Sequence, residues 1–384
     1  MLRRIPLPPF TLRTYYHLLH HHHRRIMATD EETKPVAQDL PVRPKDQNDP
    51  QNFDIVATYR SLLSSDREIT MPIAAIESLI EFLSVTPYVT SMELVEKVKH
   101  QKALLLASAP NPLPILAGAD LFEQFLLRSL RPPPAAAASS TSNLAEPMSF
   151  DQTREHLVAN KQLFAQRAQA ARDNIAIWGA RYVSDEKVVL TAGGSRTVTK
   201  ILLRAATDQS KHFKVIYILE PTNSRSQAAV DELRQAGLEV ETIVPNKVAY
   251  VLANQKKINL VLVGTEAIMQ NGGIISGMGT AQLAALVKAI PGGMKRFYVA
   301  AETHKIVRKT PIAYPIVAKM GVRQRDISRF ENLGVDLDNE GVKEQLLRES
   351  DEVDYTDPEL IDGIITEQGV KMAWQIWELV DDYI

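Results

Sequence analysis

The sequence predicts an α/β protein: an N-terminal all-helical domain followed by a doubly wound, mainly parallel Rossmann-like sheet domain. Helical periodicity, without any strand pattern, runs from residue 53 to about residue 182. After that, short runs rich in Val, Ile, Leu and Tyr alternate with helical segments, which is typical of parallel strands covered on both faces. The 384 residues are 45% hydrophobic, enough to bury a substantial core.

Two stretches have a composition that does not favour a packed core. Residues 1–52 are predicted to be a disordered N-terminal extension, because the sequence up to Asn52 is rich in Pro, Asp, Gln and Lys. Its first 26 residues contain arginine but no acidic residue, so they are either a targeting peptide or an extension ahead of a start at Met27. Residues 132–147, rich in Pro, Ala and Ser, are predicted to be a mobile loop. The predicted domains are therefore 53–182, helical, and 183–384, α/β.

Apolar residues recur at helical spacing throughout the first domain. Thr90, followed three residues later by Glu93, forms a capping-box signal ahead of an apolar run. A longer helical pattern from Phe150 to Trp178 is expected to connect the two domains. The apolar faces of the earlier helices are Ile73, Ile76, Leu79, Ile80 and Leu83; Leu94, Val95, Val98 and Leu105; and Leu121, Phe122, Phe125 and Leu126.

Five strands are predicted in the second domain, each followed by a turn or a helical segment. Near the C-terminus, Thr356 and Glu359 have the spacing of a second capping box. The predicted strands are Lys187–Leu190, Lys214–Leu219, Leu238–Val244, Ile258–Val263 and Phe297–Ala301.

Charge and composition exclude several classes of function. A formal net charge of -2 does not favour strong nonspecific binding to nucleic acid. No apolar stretch approaches the roughly 20 residues that a membrane-spanning helix needs. The sequence contains no cysteine, which excludes disulfides, thiolate metal ligands and thiol catalysis.

Glycines and an arginine follow the first predicted strand, in the segment TAGGSR that begins at Thr191. Gly193 and Gly194 would let a phosphate approach the backbone, the helix start at Ser195 would offer N–H groups, and Arg196 could bind phosphate oxygens. The same residues could equally be a tight strand-to-helix turn that Ser195 caps.

Three glutamates, Glu220, Glu266 and Glu302, also follow predicted strands. Because ligands of open parallel sheets bind at the carboxyl ends of the strands, these carboxylates could line a pocket for sugar hydroxyls. They could instead be helix caps or partners of arginines. The further candidate ligand-binding residues are Arg225 and Lys305, for phosphate, and Asn271 and Gly272, which could also simply form a turn.

Several strings resemble one family. These are AAIESLIEFL from Ala74, AGADLFEQFLL from Ala117, GTEAIMQNGGII from Gly264 and VAAETHKIVR from Val299. Together they resemble the alpha, beta and delta subunits of translation initiation factor 2B and the related methylthioribose-1-phosphate and ribose-1,5-bisphosphate isomerases, with the alpha subunits matching best. The resemblance runs from about Phe53 to the C-terminus.

The departures from the isomerase pattern concern the reactive positions. The isomerases use a cysteine in a THC segment and the aspartate of a GAD motif; this chain has Gly193 and Glu266 at the matching positions. Ser276 and Gly277 stand where the isomerases have an Asn and a Lys that meet the substrate phosphate. The resemblance therefore implies a scaffold without the catalytic pair.

The resemblance implies a noncatalytic regulatory subunit of the guanine nucleotide exchange factor for initiation factor 2. Such a subunit would form a homodimer, bind the beta and delta subunits and help to sense the phosphorylated alpha subunit of factor 2, for which the surface near Thr90 and Glu93 is a candidate. It would be cytoplasmic, contact neither nucleic acid nor membrane, and require no cofactor or metal, while a vestigial pocket would bind a sugar phosphate or nucleoside monophosphate.

Two alternatives remain open at this point. One is an active sugar-phosphate aldose-ketose isomerase. The other is a dinucleotide-dependent enzyme, which TAGGSR supports less well because it lacks the GxGxxG spacing.

Overall fold

The structure is a computed structural model. It describes residues 53–66, 68–129, 150–159, 163–207, 210–219, 223–291, 294–308, 320–323 and 352–382. All of these lie in one compact unit, Pro50–Ile384. The predicted extension (1–52) and the predicted loop (132–147) lie outside the described residues, so both stay predictions, as does the domain boundary after residue 182.

Helices form the first part of the described chain, as the apolar periodicity predicts. Their shared core contains fully buried side chains such as Ile76, Leu79 and Phe122. The predicted Thr90 cap is confirmed, since Thr90 Oγ1 accepts a hydrogen bond from the Glu93 amide at 3.2 Å. The helices are α1 (Ile55–Ser65), α2 (Met71–Val85), α3 (Ser91–Ser108), α4 (Leu113–Ser129), α5 (Phe150–Ala159) and α6 (Leu163–Ala180).

A seven-stranded sheet forms the second part, in the order β11-β10-β7-β4-β1-β2-β3. All neighbours are parallel except β10 and β11. The predicted fold class and the five predicted strands, which correspond to β1, β2, β3, β4 and β7, are confirmed. The strands are β1 (Val188–Ala192), β2 (Lys214–Ile218), β3 (Glu239–Ile243), β4 (Ile258–Gly264), β7 (Arg296–Ala300), β10 (Gly363–Thr366) and β11 (Gly369–Lys371).

Helices cover both faces of this sheet, and each face has its own buried cluster. The helices that connect strands are α7 (Arg196–Thr207), α8 (Ser224–Gln235), α9 (Val248–Asn254) and α10 (Thr280–Ala289), and α11 (Ile376–Asp382) follows the last strand. None of the described helices is long and apolar enough to cross a bilayer.

A second, four-stranded sheet, in the order β8-β5-β6-β9, was not predicted. Its strands have two to four residues each, too short for a sequence pattern to stand out. Its presence also corrects the second predicted capping box, because Thr356 belongs to β9 and Asp357 caps the following turn through the Glu359 amide at 2.9 Å. The strands are β5 (Ala267–Met269), β6 (Ile274–Gly277), β8 (Ile306–Val307) and β9 (Val353–Thr356).

The small sheet joins the helices to the rest of the unit. Leu113 and Leu116 of α4 share a buried cluster with Met269, Ile275 and Tyr355 of the small sheet. Because these side chains come from both parts of the chain, the helices and the sheets stabilise each other. Loops of the helical part also contact residues that follow strands of the large sheet, since Arg196 after β1 donates to the Ile69 carbonyl and Asn111 donates to Glu266 after β4.

Candidate functional site

The candidate site lies where the strand order of the large sheet reverses. From β1 the chain proceeds through β2 and β3 on one side, and then returns to β4 on the other side of β1. Crevices at such a switch point are the usual ligand sites of open α/β sheets. Gly193–Arg196 follow β1, Glu266 follows β4 and Glu302 follows the adjacent β7. The structure therefore brings these predicted residues to one edge of the sheet.

The turn after β1 depends on two glycines. Gly193 and Gly194 have φ values of +83° and +65°, which side chains disfavour. The Gly194 amide donates to the Tyr217 hydroxyl at 2.9 Å, and a Cβ at Gly194 would lie 2.7 Å from the carbonyl carbon of Arg225. At Gly193 a Cβ would meet nothing within 4 Å. Gly194 therefore allows the first turn of α8 to approach, while Gly193 faces open space.

Ser195 and Arg196 begin α7. The Ser195 hydroxyl accepts a long hydrogen bond, 3.4 Å, from the Val198 amide, in agreement with the capping interpretation. Arg196 Nη2 donates to the Ile69 carbonyl at 3.4 Å, so this side chain extends from the sheet edge to the loop before α2. Its Nη1 is buried and has no hydrogen-bond partner among the described residues. Burial, and then the positive charge of Arg172, lower the pKa of Arg196.

Arg172 of α6 belongs to the same cluster, and the sequence analysis missed it. It is 2% exposed, and its Nη2 forms an ion pair with Glu68 Oε2 at 2.7 Å. Its Nη1, like that of Arg196, is buried without a hydrogen-bond partner in the described part of the chain. The signal was present in the sequence, because Arg172 lies four residues after Ala168 and three before Ile175 on the buried stripe of its helix.

Glu302 and Lys305 form a buried ion pair beside this cluster. Glu302 is 0% exposed; its Oε2 lies 2.8 Å from Lys305 Nζ, and its Oε1 accepts from the Thr197 hydroxyl at 3.0 Å. Lys305 also donates to the Thr265 carbonyl at 3.1 Å. Burial alone would raise the pKa of Glu302, but Lys305 and His304 outweigh it and hold that pKa well below its ordinary range. Glu302 is therefore the buried partner of a lysine, whereas the alternative considered for it was an arginine partner, and its role in binding a ligand stays a prediction.

His304 links the same turn to the helices. Its Nε2 lies 3.2 Å from the hydroxyl of Thr70, the residue that precedes α2. Burial lowers the pKa of His304 to about 4, and the nearby cations Lys305 and Arg172 act in the same direction. The imidazole is therefore neutral at physiological pH.

Glu266 faces the helices. Its Oε2 accepts from Asn111 Nδ2 at 2.7 Å, and its negative charge adds to the effect of burial in raising the pKa of Tyr59 on α1. A carboxylate held by an amide and close to a buried phenol is well placed to fasten the loop after β4 to the helices. These contacts do not test whether Glu266 binds a ligand, so that role stays a prediction.

Asn271 and Gly272 form the turn between β5 and β6. Asn271 Oδ1 accepts from the Gly273 amide at 3.0 Å, and its Nδ2 donates to the Tyr355 hydroxyl at 2.9 Å. Gly272 has a φ of +84°, and a Cβ there would collide with the Ala373 carbonyl. The turn interpretation accounts for both residues, and their binding of a ligand stays a prediction.

The remaining predicted residues lie in different surroundings. Glu220 lies outside the described residues. Ser276 is buried, with its hydroxyl 3.3 Å from the Gly264 carbonyl, whereas Gly277 borders open space. Arg225 is exposed at the start of α8, close to Gly194.

Thr90 and Glu93 lie at the start of α3. Glu93 Oε2 accepts from the Val89 amide at 2.9 Å, and Glu93 forms an ion pair with Lys97 at 2.8 Å. The cap is thus complete on the surface of the helical part, and nothing in its geometry tests the predicted contact with a partner.

Two guanidinium groups with unsatisfied nitrogens mark the site at the switch point. Cations and carboxylates are mixed here: Arg172, Arg196, Arg225 and Lys305 lie with Glu68, Glu266, Glu302 and Glu367 at or beside this edge. Nη1 of Arg172 and Nη1 of Arg196 have no acceptor among the described residues, and the N-terminus of α7 contributes partial positive charge. Such an arrangement favours a compact dianion such as a phosphate monoester.

Comparisons with known proteins agree with this architecture. The Initiation factor 2 subunit family model matches residues 65–372. A translation initiation factor eIF2B subunit alpha from Dictyostelium discoideum is 29% identical over 338 residues, covering 83% of this chain and 94% of that protein. A subunit alpha from Caenorhabditis elegans is 25% identical, covering 86% and 98%. A ribose 1,5-bisphosphate isomerase from Methanocaldococcus jannaschii is 25% identical over 262 residues, covering 67% and 78%.

Solved structures show the same fold. The eIF2B beta structure from Chaetomium thermophilum has a TM-score of 0.59 at 18% identity, covering 87% of this chain and 92% of that one. A chain of the tetrameric eIF2B-beta2-delta2 complex from C. thermophilum has a TM-score of 0.61 at 18% identity, covering 86% and 96%.

Proposed function

The chain belongs to the Initiation factor 2 subunit family, and from this premise we propose that it is a noncatalytic regulatory subunit of the guanine nucleotide exchange factor for translation initiation factor 2. The observation that carries this proposal is the likeness to an eIF2B subunit alpha along 83% of this chain and 94% of the relative. A likeness that extends over nearly the full length of the relative favours a shared role more than a shared domain would.

As such a subunit, the chain forms a homodimer and bridges copies of the beta and delta subunits in the cytoplasm. A related fold occurs in the tetrameric beta2-delta2 complex, which supports an assembly built from this kind of chain. The helical part, including the capped start of α3 at Thr90 and Glu93, helps to sense the phosphorylated alpha subunit of factor 2.

Lack of catalysis is supported by the sequence of the site. The chain has no cysteine, and its glycine turn after β1 carries no side chain at Gly193. Glu266 is held by Asn111, on the side of the helices. The thiol and the aspartate on which the isomerases rely are both absent from the matching positions of this chain, Gly193 and Glu266.

The pocket retains the means to hold an anion. We propose that it binds a sugar phosphate or nucleoside monophosphate, with the phosphate at the start of α7 between Arg172 and Arg196. Both Nη1 atoms are buried and have no acceptor in the described part of the chain, which supports this, because an unsatisfied buried donor costs about 1–3 kcal/mol and a phosphate would satisfy it. Such a ligand regulates or stabilises the subunit and is not turned over.

Reconstitution tests the assembly. Purified chain is mixed with beta and delta subunits and analysed by sedimentation velocity, alone and in the mixture. A dimer that shifts into a larger complex is the expected result. A chain that sediments as a monomer and binds neither subunit would contradict the proposal.

Thermal melting tests the pocket. At a concentration 100 times its dissociation constant, a ligand stabilises the folded state by about 2.7 kcal/mol. A ribose phosphate or nucleoside monophosphate is therefore expected to raise the Tm of the wild type and of the control Arg234→Ala, whose side chain lies on the surface of α8, but not of Arg196→Ala. Equal shifts in all three proteins would contradict this placement of the phosphate.

The isomerase alternative is kept because a ribose 1,5-bisphosphate isomerase is among the relatives. It predicts turnover of ribose 1,5-bisphosphate that is lost in Glu266→Gln. We expect no turnover even at high protein concentration, measured by product formation over hours. Turnover that Glu266→Gln abolishes would replace the noncatalytic proposal.

A further inference from the structure

One carboxylate of the chain acts on both arginines of the candidate site. Glu68, in the loop before α2, forms an ion pair through its Oε2 with Arg172 Nη2 at 2.7 Å. Its charge also reaches Arg196, whose pKa is lowered by burial and by Arg172 and is raised in turn by Glu68. Glu68 is therefore a counter-ion of the two guanidinium groups between which a phosphate is proposed to bind.

The two ends of this ion pair differ strongly in burial. The side chain of Arg172 is 3% exposed and that of Glu68 is 58% exposed. Arg172 lies on the buried stripe of α6 and stays in place, whereas a carboxylate at the surface is readily rehydrated. Its departure would nevertheless be costly unless another anion took its place, because a buried guanidinium needs a counter-ion. Glu68 can thus be exchanged for an anion, but not simply lost.

Glu68 differs in this respect from the other carboxylates at or beside the sheet edge. Among the described residues, its side chain has Arg172 as its one hydrogen-bond or ion-pair partner. The others are less exposed and contact several polar groups or lie further inside the fold. Their partners include Lys305 and Thr197 for Glu302, Asn111 for Glu266, and Thr303 for Glu367.

The loop that carries Glu68 has two further contacts with residues of the sheet edge. The Ile69 carbonyl accepts from Arg196 Nη2 at 3.4 Å, and the Thr70 hydroxyl lies 3.2 Å from His304 Nε2. The Arg196 contact is long and therefore weak, so this guanidinium can turn towards an anion. The contact of Thr70, which is 7% exposed, would still hold the loop. Displacement of Glu68 consequently does not require the helical part to unfold.

We propose that Glu68 is an internal competitor for the anion site: its carboxylate neutralises Arg172 in the free protein, and a phosphate monoester displaces it into solvent. This inference rests on the phosphate pocket proposed above, and it adds the residue that limits the affinity. A phosphate dianion replaces the carboxylate's charge and can also accept from the two Nη1 atoms that have no acceptor in the described part of the chain. Binding then exchanges a contact of the loop before α2 for a contact with the ligand.

Isothermal titration of the full chain with ribose 5-phosphate and, separately, with adenosine 5′-monophosphate tests this inference. We expect Glu68→Gln to lower the Kd of each ligand about three- to tenfold, because glutamine keeps an oxygen for Arg172 but carries no competing charge. The ratio between variant and wild type should be the same for both ligands, since both present the same phosphate. The two titrations also distinguish a sugar phosphate from a nucleotide as the occupant.

Two further variants separate competition from a merely structural role. Glu68→Asp keeps the charge and is expected to bind each ligand within about twofold of the wild type. Glu96→Gln removes a carboxylate that is 66% exposed from an ion pair with Lys99 on α3, and is expected to leave both Kd values unchanged. If Glu68 instead held Arg172 in the position that binds phosphate, Glu68→Gln would raise the Kd. Circular dichroism confirms that each variant is folded.

Hydrogen exchange of the wild type tests the displacement without any substitution. Saturation with the tighter of the two ligands is expected to speed exchange of the amides at residues 68–70 at least about threefold, because the loop loses its contacts with Arg172 and Arg196. Exchange in this loop that stays unchanged or slows would overturn the displacement.

The outcomes also separate this inference from the proposed function. A wild type that binds either ligand with a Kd that Glu68→Gln leaves unchanged or raises would overturn the competitor role while the pocket stands. Failure of both the wild type and Glu68→Gln to bind either ligand would overturn the pocket and this inference together.

Discussion

Three contacts between polar side chains hold the residues around the sheet edge in place. Glu68 contacts Arg172, Thr70 contacts His304 and Asn111 contacts Glu266. The Thr70 and Asn111 contacts join the helical part to the sheet edge. The Glu68 contact joins the loop before α2 to Arg172 on α6, the helix that lies beside that edge. Arg172 is 2% exposed whereas Glu68 lies at the surface, so removal of Glu68 would leave a buried guanidinium without its ion-pair partner and would cost more than the loss of an exposed pair.

His304 makes stability depend on pH. Its pKa is lowered from 6.5 to about 4, so between these values the unfolded chain binds a proton that the folded chain does not. Stability therefore falls as pH falls through this window, by roughly 3 kcal/mol in total. Urea unfolding from pH 7 to pH 5 measures the slope, which is expected to be shallower in His304→Gln.

The control for this prediction is His100→Gln, at an exposed position of α3. It is expected to keep the wild-type slope. Glu367, whose pKa is raised by burial, acts in the opposite direction, but it is present in every variant and cancels from the comparison. An unchanged slope in His304→Gln would contradict the assignment.

Turns and caps show which features of an element a short sequence motif specifies. Thr90 and Glu93 cap α3 as predicted, because both groups belong to one local segment. Thr356 and Glu359 have the same spacing, yet Thr356 is taken into β9 and Asp357 provides the cap. Pairing with β6, a strand about 80 residues away, overrides the local preference.

The turn between β5 and β6 should tolerate no side chain at Gly272. Gly272→Ala combines a positive φ with a collision against the Ala373 carbonyl, so we expect a loss of about 2–4 kcal/mol. Gly277→Ala, in the adjacent strand, has ordinary φ and open space around its Cβ, and is expected to change stability by less than about 1 kcal/mol. Urea unfolding compares the two variants, and equal effects would show that the turn is not held against Ala373.

The whole molecule is expected to unfold in one cooperative step. Leu113 and Leu116 of α4 share their buried cluster with strands of the small sheet, so neither part keeps a complete core without the other. The three tryptophans lie at positions 178, 374 and 377, so tryptophan fluorescence reports on their surroundings, whereas circular dichroism reports mainly on the helices. Unfolding by urea should give the same midpoint by fluorescence and by circular dichroism. Separate midpoints would show instead that the predicted domains unfold independently.

Much of the fold could be predicted because its signals are local. Five parallel strands and the early helices follow from apolar periodicity, and the residues after β1, β4 and β7 locate the edge at which the site lies. The four-stranded sheet could not be predicted, since its strands are too short to show a pattern. Arg172 was missed because its place on the apolar stripe of α6 indicates burial but does not show which charged residues surround it.

The sequence by itself determined the fold class, the family resemblance and the absence of thiol chemistry, because periodicity, motifs and composition are properties of the chain alone. Only the tertiary structure decided what the polar residues contact. Arg172 pairs with Glu68 across 104 positions, and Asn111 with Glu266 across 155. The partner of a buried charge is set by packing between distant segments, and no local pattern encodes it.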